Sequence, residues 1–210
     1  LIAAVHAGKA GALRDFVDNP AVFTPDDIMD GRLPDGPVAL YDDDYFHTGS
    51  VIAEALRKAG RDVFYVTPDD TIASWSANTL DYRHIQWRMA ELGVEQMVSH
   101  SVTGFADGRL SLEHAWSGKP RTLDCAAVVA ITSRLPDDAL YHAIAAREAD
   151  WADAGIRTVT RIGDALAPGL IAHAVYAGHR YARELDEPAI DGVPFKRHFH
   201  TTNPDDILKP

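Results

Sequence analysis

Cysteine is almost missing from these 210 residues, Cys125 being the single one. One thiol excludes a disulfide within the chain and a four-thiolate iron–sulfur cluster held by this chain alone. Next to an apolar run, Cys125 reads as a small buried residue. So few thiols fit a reducing, cytoplasmic compartment. Positive charge is scarce too: 20 Lys and Arg stand against 31 Asp and Glu, a formal net charge of −11. Phosphate backbones need a concentrated basic surface, so no nucleic-acid partner is expected. No apolar run approaches the roughly 20 residues that cross a bilayer, and no secretory leader is visible, so no membrane association is expected. The chain opens at Leu1 without Met, as a piece of a longer polypeptide would. Its ten histidines are scattered; none shows i, i+4 zinc spacing with a third ligand. No Gly-x-Ser-x-Gly elbow or nucleophile–base pair stands out, so no metal site and no catalytic residue is assigned.

What is present is a core-forming composition, 46% hydrophobic, enough for one large domain or two small ones. Thr24–Gly31 has the marks of a short capped helix, with Thr24 at the N-cap, Pro25 in the first turn and Gly31 at the end. Val38–Tyr41 reads as a strand. A helix follows, capped by Thr48 or Ser50, with Val51, Ile52, Ala55, Leu56 and Ala59 as its apolar stripe and Gly60 as its stop. Asp62–Val66 is the next strand. A helix is expected over Thr79–Leu92, then strands over Val94–Val102 and Arg109–His114, joined by an Asp107-Gly108 hairpin turn. Arg121–Asp124 pairs in the same ribbon. Ala126–Ile131 has the continuous apolar character of a parallel strand covered on both faces. A helix over Asp137–Ala154, a strand over Thr158–Ile162, a helix over Pro168–Leu185 and an extended tail from Asp186 complete the reading. The four tryptophans, Trp75, Trp87, Trp116 and Trp151, are expected as core or interface anchors.

The strand–turn–helix–strand from Val38 to Val66 is the opening unit of a dinucleotide-binding fold, but its turn lacks glycine. Asp42, Asp43 and Asp44 stand where a phosphate loop brings bare backbone to a pyrophosphate, and Gly49 is the one glycine between Tyr45 and Ser50. Each carboxylate at about 4–6 Å from a phosphate costs on the order of a few kcal/mol at an effective dielectric near 20. Carboxylates also suit Mg²⁺ or Ca²⁺, but consecutive side chains rarely converge on one ion, which favours a plain acidic turn. Asp69 lies near the place of a ribose-binding acid, displaced by Pro68.

Four segments taken together, Thr24–Gly31, Pro37–Pro68, Ala126–Tyr141 and Arg161–Leu185, resemble the C-terminal half of the trimethylamine dehydrogenase family. That family includes dimethylamine and histamine dehydrogenases, N-methylproline demethylases and, more distantly, dienoyl-CoA reductases. The resemblance covers roughly residues 20 to 200. It implies an α/β, Rossmann-like FAD/NAD(P)-binding fold with a small antiparallel ribbon, one nucleotide-type domain nested in part of another. Residues 1–34 would be part of an outer FAD- or ADP-type domain. Residues 35–157 would be an inserted, degenerate NAD(P)H-type domain, residues 158–188 the return to the outer domain, and residues 189–210 an extended tail.

The resemblance further implies an N-terminal TIM barrel with FMN, and a 4Fe-4S cluster, both outside this chain. The partners would be that barrel and a second copy in a homodimer. The chain would serve a structural role, hold ADP or an FAD-like nucleotide in the outer domain, and catalyse nothing alone. Gly163, Asp164 and Ala165 are the leading cofactor-binding residues, since a Gly-Asp pair between strand and helix meets a nucleotide in related FAD enzymes; the alternative is a helix cap. Asp42, Asp43, Asp44 and Gly49 are the degenerate counterparts in the inserted domain. Arg134, in the loop facing the nucleotide in active reductases, would pair with a phosphate or with an Asp of the acidic turn. Two other readings stay open: the NAD(P)H domain of an active reductase of the dienoyl-CoA reductase type, and a stand-alone, non-enzymatic binding module.

Overall fold

The computed structural model describes residues 19–185 and the backbone of residues 4–7. Strand β1 is Ala4–Ala7; β2 (Val22–Phe23) and helix α1 (Pro25–Met29) follow. Then come β3 (Val38–Asp42), α2 (His47–Lys58), β4 (Val63–Val66), α3 (Tyr82–Glu91) and β5 (Glu95–Met97). Strands β6 (His100–Ala106), β7 (Arg109–His114) and β8 (Pro120–Asp124) form an antiparallel ribbon. The last elements among the described residues are β9 (Ala127–Ile131), β10 (Arg134–Asp137), α4 (Ala139–Ala145) and α5 (Ile171–Glu184). The tail expected from Asp186 onward lies outside the described residues.

The result is a mixed α/β fold. Five parallel strands run in the order β2-β9-β3-β4-β5, and β1 pairs antiparallel with β10. Side chains alternate across a strand, and this alternation sorts the core into two layers. Val38, Leu40, Val63, Tyr65, Val129 and Ile131 face the helices and pack with Ile52, Leu56, Ile85 and Met89. Ala39, Tyr41, Val66, Val128 and Ala130 face the ribbon and pack with Val102, Phe105, Leu110 and Leu112. All five residues of β3 and of β9 are buried, as a sheet covered on both faces requires. Burying one such aliphatic side chain stabilises by roughly 1.5–3 kcal/mol.

The helix expected over Thr24–Gly31 is present with a full capping box. Thr24 Oγ1 accepts from Asp27 N at 3.3 Å, and Asp27 Oδ2 accepts from Thr24 N at 2.8 Å. Asp107 and Gly108 both take left-handed φ, 51° and 71°, as the expected tight hairpin needs. Cys125 is buried, and burial pushes its thiol up to about 11.

Other expectations are corrected. Thr158–Ile162 belongs to no strand, and α5 starts at Ile171 instead of Pro168. The helix placed over Asp137–Ala154 shrinks to α4 and a 3₁₀ turn at Glu148–Asp150. Arg134–Asp137 instead finds backbone partners on β1, and α4 buries no residue that would hold a longer helix. The helix over Thr79–Leu92 begins at Tyr82, because Leu80 takes a left-handed φ of 67° after a 3₁₀ turn at Ser74–Thr79. The strand over Val94–Val102 splits at Ser99, φ 55°, where the chain leaves the parallel sheet for the ribbon. Neither Thr48 nor Ser50 caps α2: its N-cap is Phe46, without a side-chain cap, and Ser50 Oγ donates to His47 O at 2.8 Å. Val51, placed on the buried stripe, is exposed, and Trp75, Trp87 and Trp116 are exposed and not core anchors.

Candidate functional site

The chain steps outward from β3 to β4 and β5, then returns to β9 on the other side of β3. Open α/β sheets place their ligand crevice where the strand order reverses in this way, beyond the carboxyl ends of the strands. A crevice of about 510 Å³ lies there. One wall is the turn after β3 and the start of α2, with Asp44, Phe46 and Thr48. A second is the exit of β9, with Ile131, Thr132, Ser133 and Arg134, and Pro25 of α1. The approach to α5, Pro168 to Leu170 with His173, closes one side, and Trp75 another. Two segments singled out in the sequence therefore meet here, the acidic turn through Asp44 and the loop of Arg134, whereas Gly163, Asp164 and Ala165 do not line the crevice and only Pro168–Leu170, further along, does.

The turn after β3 is closed on itself. Asp42 is fully buried at the strand end. Its Oδ1 accepts the N–H of Asp44 at 2.9 Å and of Tyr45 at 3.2 Å. Its Oδ2 accepts from the Tyr65 hydroxyl, also fully buried, on the neighbouring strand. Tyr65 stands opposite Leu40 in the register. Tyr45 completes the turn in the left-handed region, φ 62°. Gly49, in the first turn of α2, presses on the same pair: a Cβ there would overlap the Tyr65 hydroxyl and lie 2.5 Å from Asp42 Oδ2. Burial pushes the Asp42 carboxyl up to about 6, although Tyr65 and the turn amides favour its charged form. Asp43, whose N–H donates to Ile131 O at 3.0 Å, is raised to about 6 by burial and by the neighbouring Asp44. Burial and the Asp42 charge hold the Tyr65 hydroxyl well above its ordinary range.

Of the three acidic side chains, only Asp44 lines the crevice. Among the described residues no group of three His, Cys, Asp or Glu side chains could hold a metal ion. Arg134 hydrogen-bonds Asp26 in the first turn of α1, at 2.8 and 3.3 Å, and its charge also acts on Asp44 of the acidic turn, opposing the upward push of burial on that carboxyl. Asp26 sits beside the capping box, where the sequence offered only a helix-start signal. Gly163–Ala165 forms a 3₁₀ turn with Gly163 at φ 57°, and Asp164 Oδ1 accepts from Gly169 N at 3.2 Å. The carboxylate thus ties the turn to the approach of α5, whose N-cap is Leu170. Asp69 accepts from Ser74 Oγ at 2.5 Å and from Asp70 N at 2.8 Å, so its own loop satisfies it. Tyr65, Phe46, Trp75 and His173 were not singled out as site residues. Tyr65 had one signal, a hydroxyl in an otherwise apolar strand.

The fold, taken over the whole chain, is shared with solved structures. Histamine dehydrogenase from Rhizobium sp. 4-9 aligns over 86% of this chain with 43% identity and a TM-score of 0.80. Homologues of this chain thus include amine dehydrogenases of the trimethylamine dehydrogenase family. 6-Hydroxypseudooxynicotine amine oxidase from Pseudomonas geniculata N1 aligns over 85% of the chain, with 36% identity and a TM-score of 0.76. Dimethylamine dehydrogenase of Hyphomicrobium sp. (strain x) is 30% identical over 187 residues, 80% of this chain. 2-Naphthoyl-CoA reductase shares the fold at 21% identity, with a TM-score of 0.65 over 85% of the chain. No family model matches. The chain spans 25% of the dimethylamine dehydrogenase, 29% of the histamine dehydrogenase chain and 27% of the amine oxidase chain. Those shares agree with a C-terminal region of trimethylamine dehydrogenase-type proteins. No helix among the described residues is long and apolar enough to cross a membrane.

Proposed function

We propose that this chain is the C-terminal nucleotide-fold region of an FMN and iron–sulfur amine dehydrogenase or demethylase, with a structural role and no catalysis of its own. The observation that carries this reading is the 43% identity to histamine dehydrogenase along 86% of the chain. The single cysteine, buried, does not fit a four-thiolate cluster. On this reading FMN and the 4Fe-4S cluster sit in a preceding barrel and linker. The chain packs against that barrel, contributes to a homodimer and works in the cytoplasm.

The same reading makes the region Rossmann-like, with residues 35–157 as a degenerate NAD(P)H-type domain nested in an outer domain that resumes at residue 158. ADP is the nucleotide the outer part would hold. The turn at Gly163–Ala165 fits that role in one respect, because a left-handed Gly163 leads towards the N-terminus of α5, where Leu170 N donates to His173 Nδ1 at 3.2 Å and the amides further into the helix would be the ones to meet a phosphate. Asp164, committed to Gly169 N, would then position this turn and leave phosphate contact to backbone amides.

The test is to denature the natively purified protein and identify what it releases by mass spectrometry, alongside histamine- and dimethylamine-dependent dye reduction. ADP released in near-stoichiometric amount, with amine oxidation confined to a polypeptide that includes the barrel, is the expected result. Micromolar NADPH binding without released ADP would overturn the reading in favour of an active reductase.

A further inference from the structure

A dinucleotide loop works because its backbone N–H groups are free to meet an anion and because nothing stands between the first strand and the following helix. Here both conditions fail for reasons internal to the fold. The Asp44 and Tyr45 amides are consumed by Asp42 Oδ1. The space against Gly49 is filled by the Tyr65 hydroxyl and Asp42 Oδ2, so the one glycine kept in this segment serves the plug instead of a ligand. Tyr65 reaches in from β4, and both it and Asp42 are fully buried.

We infer that Asp42 and Tyr65 are the specificity-determining pair of this turn, excluding the pyrophosphate of a dinucleotide by occupancy: the carboxylate takes the anion's place on the amides and the phenol fills the approach. The inference rests on reading the turn as a former nucleotide loop. It differs from simple charge repulsion, because an uncharged group of the same shape would keep the turn shut. An Asn side chain can present its carbonyl to the two amides and its NH₂ to the Tyr65 oxygen.

The test compares NADH binding, followed by fluorescence at low ionic strength, for the complete protein and its variants. Every protein in the series carries Asp44→Asn, which removes the exposed carboxylate's repulsion from each comparison. Asp42→Asn is expected to leave affinity within about twofold of that reference. Asp42→Gly with Tyr65→Phe is expected to bind at least tenfold more tightly, with amide shifts on addition of pyrophosphate centred on residues 44 and 45. A tenfold gain from Asp42→Asn alone would overturn the inference in favour of charge. A folded double variant with no gain would overturn it too. Should the double variant fail to fold, Asp42→Asn decides alone: no gain supports occupancy, and a tenfold gain refutes it. Micromolar NADH binding by the unsubstituted protein would instead overturn the reading of the turn itself.

Discussion

The burial of Asp42 makes a quantitative prediction about stability. Its folded pKa is about 6 against an ordinary 3.8, raised chiefly by burial. A carboxyl raised in the folded state binds its proton more tightly there than in the unfolded chain. Its stabilising contribution is therefore fully present below pH 4 and is lost as pH rises to and beyond 6. The shift corresponds to roughly 3 kcal/mol of cost for holding the ionised form at neutral pH, of which about 1 kcal/mol develops between pH 5 and pH 7. Asp42→Asn removes the ionisation and keeps all three hydrogen-bond partners in reach. The variant should be more stable than the wild type at pH 7, by up to about 3 kcal/mol, with the difference shrinking steadily towards pH 5. Urea unfolding followed by circular dichroism across pH 5–8 measures this directly, because other titrating groups cancel in the difference. A constant difference across that range, or a variant less stable than wild type at pH 7, would refute the reasoning.

Gly49→Ala should lower stability by about 1–3 kcal/mol in the same assay despite alanine's better helix propensity, because the new methyl collides with Tyr65 and Asp42. Arg134→Ala should cost no more than about 1 kcal/mol, since the pair with Asp26 is half-exposed on both sides; a larger loss in thermal unfolding would show the bridge to be structural in a way its exposure denies. Cys125 should resist a thiol reagent at pH 7.5 until urea unfolds the protein, given its burial and a pKa near 11; rapid labelling of the folded protein would contradict that placement.

The sequence made the central strands and their burial legible because a continuous apolar run and a 3.6-residue stripe each have one economical solution. The capping box and the Asp107-Gly108 turn were legible for a similar reason, since few backbones suit those residues. The failures share a cause. Arg134–Asp137 becomes a strand through pairing with Ala4–Ala7, a contact across most of the chain, and no local pattern encodes it. Leu80 and Ser99 adopt left-handed backbone without being glycine, so their breaks left no mark. In the site, the hostility of the acidic turn to phosphate was readable as charge. What was not readable is that Asp42 turns inward: its partner Tyr65 lies 23 positions on and looks like an ordinary strand residue. Arg134's partner is 108 positions away.

The outer strand of the ribbon, β8, opens on a proline and carries Arg121 and Asp124 on its exposed backbone. A proline has no amide to offer a newcomer, and charges along a rim resist being dried out. That border therefore makes a poor template for another molecule's strand, so concentrated solutions of this protein should stay free of sheet-to-sheet growth from that side.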